Sequence, residues 1–140
     1  MNRFGALLIA TILYAALLIP GTAHAMDIVQ FDRMADTDQK AYLAHLIQGA
    51  QKALTDAGKP DQASRINKLF AEDQTGMTEL MKNLATLRSD DVKNRADSPK
   101  DVRLTVEDAV SVTTRKAGVE LPASFFGVGG SFRPKFPLKQ

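Results

Sequence analysis

The chain contains no cysteine, which excludes disulfides, thiol catalysis and thiolate metal sites together. Histidine is scarce as well: of the two present, His24 lies near the N-terminus and His45 stands alone after it. An excess of one charge is also missing. Eighteen basic residues face 16 acidic ones for a net +2, and without Arg3 the balance is 17 to 16, a net +1. Such a balance gives neither a nucleic-acid footprint nor a strongly membrane-seeking surface. There is no Asn-x-Ser/Thr acceptor for glycosylation. The composition, 44% hydrophobic and 24% charged, is that of one globular domain that must rest on its core alone.

The long uncharged run from Phe4 to Pro20 follows Arg3 and precedes Gly21-Thr22-Ala23-His24-Ala25. A basic start, an apolar stretch and small residues at Ala23 and Ala25 form the pattern of a secretory signal cleaved before Met26. As an uncleaved anchor, the run sits at the short limit for a hydrocarbon core of ~30 Å. Residues 1–25 therefore read as a signal peptide, residues 26–126 as a helical domain and residues 127–140 as an extended C-terminal strip. The expected protein is exported, periplasmic or extracellular, with no stable membrane insertion after cleavage.

Periodicity predicts an all-α fold, a small bundle of about four helices. Leu43, Leu46, Ile47, Ala50 and Leu54 line one face of a helix over 36–58. Asp36 with Gln39 resembles a capping box at its start, and Gly58 then Pro60 supply its stop. Ala63, Ile66, Leu69 and Phe70 mark a second helix, and the short connection makes the two an antiparallel hairpin. Thr78 is the expected cap of a third helix reaching towards Ala96, with Met77, Leu80, Met81 and Leu84 inward and Leu87 beside them. Thr105 with Asp108 opens a fourth, on which Val106, Ala109, Val110 and Thr113 face the core until Gly118. A strand over 102–106 has no second alternating stretch to pair with. Ile28, Phe31 and Met34 suggest a helical turn before the main helix. Near the C-terminus, one short turn over 122–126 should give way to an extended strip, because Gly127, Gly129, Gly130, Pro134 and Pro137 interrupt any longer element.

Few residues carry chemistry. His45 lies about 150° from the centre of the main apolar stripe, which turns it towards solvent or a partner. None of its helical neighbours Ala41, Tyr42, Gln48 and Gly49 is a carboxylate that could orient it. Asp36/Asp38, Glu72/Asp73 and Asp90/Asp91 are acid pairs outside any calcium-loop pattern. Gly127-Val128-Gly129-Gly130 is not a dinucleotide loop, since Phe132 stands where that pattern needs glycine. No catalytic, cofactor-binding or metal-ligating residue is nominated. The last ten residues hold Arg133, Lys135 and Lys139 without an acid, a local +3, against 14 basic and 16 acidic residues over 26–130. Phe125, Phe126, Phe132, Arg133, Lys135 and Phe136 form the expected partner-binding set. The alternative role for these phenylalanines is to cover the open side of the bundle.

The blocks IVQFDRMADTDQKAYLAHLIQGAQKAL, VEDA at Val106–Ala109 and LPASFFGVGGSFRPKFP resemble those of small exported bacterial helical proteins without an assigned activity. The resemblance covers most of the chain after residue 25. It implies a bacterial, helical, exported protein and no mechanism. The expected function is non-enzymatic binding of a protein or peptide partner, without cofactor or nucleic acid. Two alternatives are a small hydrolase or metal-dependent enzyme whose site assembles only in the fold, and a structural, stress-related envelope protein.

Overall fold

The stripe of Leu43, Leu46, Ile47, Ala50 and Leu54 lies in helix α2 (Asp36–Asp56), and all five side chains are buried. The computed structural model of the chain describes residues 25–71, 74–97 and 104–139. Around α2 stand α1 (Ile28–Asp32), α3 (Pro60–Leu69), α4 (Gly76–Asp97), α5 (Val106–Lys116) and a 3-10 helix (Ala123–Ser131). The fold is all-α, with six helices among the described residues where about four were expected. The expected signal peptide, except for Ala25, and the Glu72/Asp73 pair lie outside the described residues.

Each helix boundary follows from local chemistry. Gly58 takes φ +78°, a left-handed conformation open to glycine. Lys59 N–H then closes on Leu54 O at 2.8 Å. Pro60 is the first residue of α3, where its missing N–H costs nothing. The short turn sets α3 back against α2, with Ala63 and Ile66 buried. At the other end of α2 the expected capping box does not form: Ala35 flanks the helix and no side chain caps it. Asp36 instead enters the first turn, and the Gln39 amide reaches back to Phe31 O at 2.8 Å, joining α1 to α2. The box at α5 does form, with Asp108 N–H donating to Thr105 Oγ1 at 3.1 Å and Thr105 N–H to Asp108 Oδ2 at 3.0 Å.

Helix α4 departs further from expectation. It begins at Gly76, so Thr78 lies inside it and caps nothing. A Cβ on Gly76 would stand 2.1 Å from Leu69 O, so glycine lets α4 start tight against the end of α3. Leu80 and Leu84 face inward, whereas Met77 and Met81 are 40% and 50% exposed. The inward face is completed by a polar residue that hydrophobic periodicity cannot register. Asn83 is buried and donates to Thr113 Oγ1 of α5 at 2.8 Å, which satisfies both groups. A bidentate pair, Arg88 Nε to Asp32 Oδ2 at 2.8 Å and Nη2 to Oδ1 at 2.7 Å, ties α4 to α1.

The short turn expected at Pro122–Phe126 is a 3-10 helix of nine residues that continues through Gly127, Gly129 and Gly130. Runs this long are uncommon, and a contact with α2 accounts for it. Val128 seats in a notch at Gly49, where a Cβ would stand 2.2 Å from Val128 Cγ1. Extended chain begins at Phe132.

Leu46 is fully buried at the centre of α2, so Leu46→Ala should cost about 2–5 kcal/mol in urea denaturation. The half-exposed Met81 predicts a change within about 0.5 kcal/mol for Met81→Ala. Comparable losses in the two variants would contradict the inward faces assigned here.

Candidate functional site

The second seam of α2 runs through Tyr42, His45, Gly49 and Lys52, at the three- and four-residue steps that share one helix face. The sequence reading turns His45 outward; in the structure the C-terminal segment covers it. The reason is long-range: the covering residues follow His45 by more than eighty positions. His45 Nε2 lies 2.9 Å from Val128 O and 3.1 Å from Ser131 Oγ. The Phe132 ring sits 5.8 Å from the His45 ring and meets Tyr42 edge-on at 5.1 Å. Beside this latch a groove of about 430 Å³ opens between α2 and the 3-10 helix. Gln48, Lys52 and Asp56 line one wall and Ser124, Gly127 and Ser131 the other.

Geometry decides what His45 can do here. A ring nitrogen bonded to a carbonyl must carry the hydrogen, so Nε2 donates to Val128 O. The Ser131 hydroxyl donates to the same carbonyl at 3.1 Å and can only accept from Nε2. With its hydrogen on Nε2, the nitrogen that faces Ser131 cannot take the proton of a serine nucleophile. The pair holds the C-terminal segment against α2.

The expected partner-binding residues divide between two surfaces. Phe125 is fully buried in the core, with Phe126 edge-on to it at 5.3 Å. Phe132 is half-buried over Tyr42 and His45. Arg133 and Lys135 are exposed, and Phe136 is 51% exposed. The strip that carries them is fastened by acids at the start of α2. Buried Asp38 accepts Lys135 N–H at 3.0 Å and Phe136 N–H at 2.9 Å. Asp36 pairs with Lys139 Nζ at 3.2 Å. Asp91 is buried and accepts Leu104 N–H at 3.2 Å. Among the described residues no three His, Asp or Glu side chains group to hold a metal, and no helix is long and apolar enough to cross a membrane.

A third cluster has no counterpart in the sequence reading. Glu107 has 0% exposure. Its Oε2 accepts Tyr42 O–H at 2.5 Å, and its Oε1 accepts Met26 N–H at 3.0 Å. Burial pushes the Glu107 carboxyl above its ordinary range, against the hydrogen bonds from Tyr42, Met26 and its own backbone N–H. Burial and then the adjacent carboxylate push the Tyr42 phenol up as well. Glu107 sits in the first turn of α5, where an acid is ordinary. Nothing local signals that this one is buried. Comparison with family models, curated proteins and solved structures yields no match to this chain.

Removing the phenol by Tyr42→Phe leaves a buried carboxylate short of one donor, at a cost of about 1–3 kcal/mol. A carboxyl with a raised value in the fold holds its proton more tightly than the unfolded chain does. Ionisation therefore works against the fold as pH rises through the carboxylate range. The Tyr42→Phe penalty should grow from about pH 4 to about pH 7 in urea titrations. A pH-independent penalty would show that Tyr42 serves by packing alone.

Proposed function

We propose that this chain is a non-enzymatic, exported helical protein that holds a short, mainly apolar segment of a partner protein in the groove between α2 and the 3-10 helix. The groove itself carries the reading. At about 430 Å³ it is open to solvent and has room for a few side chains. Its rim holds Lys52 and Asp56 paired at 2.7 Å, so neither an anionic nor a cationic ligand is favoured over a neutral one. Non-enzymatic binding is supported by His45, whose Nε2 is committed to a backbone carbonyl. Export is supported by Arg3, the run from Phe4 to Pro20, and the small residues Ala23 and Ala25 before Met26. Phe136, Arg133 and Lys135 add an exposed apolar anchor and two positive charges on the same segment.

Gly127 gives a selective test. It lines the groove, and a Cβ there meets nothing within 4 Å, so Gly127→Leu should fill the groove at an unchanged denaturation midpoint. Wild-type protein should recover a partner from envelope extract, and a peptide of that partner should bind the purified chain. Gly127→Leu should lose both. Equal binding by the variant would rule the groove out.

Deletion of residues 132–140 should behave differently. It removes Phe132 from Tyr42 and His45, and both backbone donors from Asp38. Stability should fall by about 2–4 kcal/mol, the combined scale of an aromatic contact and an uncompensated buried carboxylate. An unchanged midpoint would assign the strip to binding alone.

A further inference from the structure

We infer that Glu107 is the receptor for the α-ammonium group that Met26 acquires when the segment ending at Ala25 is removed, so that processing supplies the counterion of a buried carboxylate. The inference rests on the export reading and adds a consequence for the fold.

The chain is held directly after the Met26 nitrogen. Val106 N–H donates to Met26 O at 3.0 Å, Ile28 N–H donates to Leu104 O at 3.3 Å, and Asp27 bridges antiparallel to Thr105. The Met26 side chain packs against the core. These bonds place Met26 N at 3.0 Å from Glu107 Oε1. While Met26 is joined to Ala25, that nitrogen is an amide with one hydrogen. The carboxylate then has only neutral donors, and none of the ion pairs among the described residues includes it. Neutral hydrogen bonds offset only part of the cost of taking a carboxylate out of water.

Hydrolysis of the Ala25–Met26 amide by a signal-removing endopeptidase consumes one water and leaves a carboxylate on Ala25 and an ammonium on Met26. The same nitrogen then carries a positive charge at the same oxygen, and the bond becomes a charge-assisted one. Tyr42 from α2, the Met26 backbone, the backbone N–H of Glu107 itself and Asp108 from α5 are the groups that act on Glu107; the first three favour its charge and Asp108 opposes it.

Residues 26–140 contain the whole core cluster and serve for the test in four forms: Met26 with an unblocked amine or N-acetylated, each with Glu107 or Glu107→Gln. Acetylation keeps an amide N–H and removes only the charge. In urea at pH 7 the unblocked chain should unfold with an equilibrium constant about tenfold smaller than the acetylated one, and Glu107→Gln should bring the ratio within about twofold. An ammonium held by a carboxylate has a raised pKa, so the advantage is present at neutral pH. It is lost as pH climbs beyond the ordinary α-amino range of about 7.7–8.0. Should Glu107→Gln fail to fold, that alkaline loss in the unblocked chain alone carries the test. Equal stability of unblocked and acetylated chains, or a difference that survives Glu107→Gln or high pH, overturns the pairing. Intact mass of protein exported by cells making the full chain tests the processing separately. A first residue other than Met26 overturns the processing and the inference together, whereas Met26 with equal stabilities overturns the pairing alone.

Discussion

A carboxylate with no access to water organises this protein. Glu107 meets Tyr42 from α2 and the backbone of Met26 from the N-terminal segment, so three parts of the chain must arrive together for both oxygens to be satisfied. A buried acid without its donors is far more costly than an apolar side chain in the same place. That penalty fixes how α5 sits on α2. The Thr105–Asp108 box sets where α5 begins, and Asp27 bridging to Thr105 brings the N-terminal segment into line. Apolar packing by Val106, Ala109 and Val110 then closes around a polar centre that admits one arrangement.

The same device recurs at the other end of the chain. Asp38, in the first turn of α2, is buried and takes two backbone N–H groups from the C-terminal strip, while Asp36 beside it takes Lys139. Both helix starts thus place an acid where the aligned peptide dipoles favour negative charge, and then use that acid to hold a remote segment. A chain without disulfides obtains its long-range ties this way. The exposed pairs contribute little, and the buried ones specify.

The C-terminal segment reshapes α2 from a one-sided helix into a two-sided one. Its first side is the aliphatic stripe that faces α3 and α5. Its second side, through Tyr42, His45 and Gly49, is covered by Val128, Ser131 and Phe132. The groove exists because this cover is incomplete: Gly127 has no side chain to fill it, and Lys52 and Asp56 pair with each other along the α2 wall. The groove and the anchor of the strip share one segment, which is why the proposed function rests on the groove and not on the phenylalanines. Phe125 is wholly committed to the core.

Local physics was legible in the sequence. The stripe of α2, the Gly58 turn, the Thr105–Asp108 box and the end of α5 at Gly118 all depend on residues within one or two helical turns, and their spacing states them. Tertiary structure alone decided which polar residues face inward. Asn83 and Glu107 occupy buried positions because Thr113 and Tyr42 stand opposite, and hydrophobic periodicity counts such residues as surface. It likewise decided that Met77 and Met81 face out, that a glycine-rich segment coils into a 3-10 helix, and that His45 is covered. Those outcomes depend on partners tens of positions away, which have no signature in local spacing because their energy appears only when both sides lose water together.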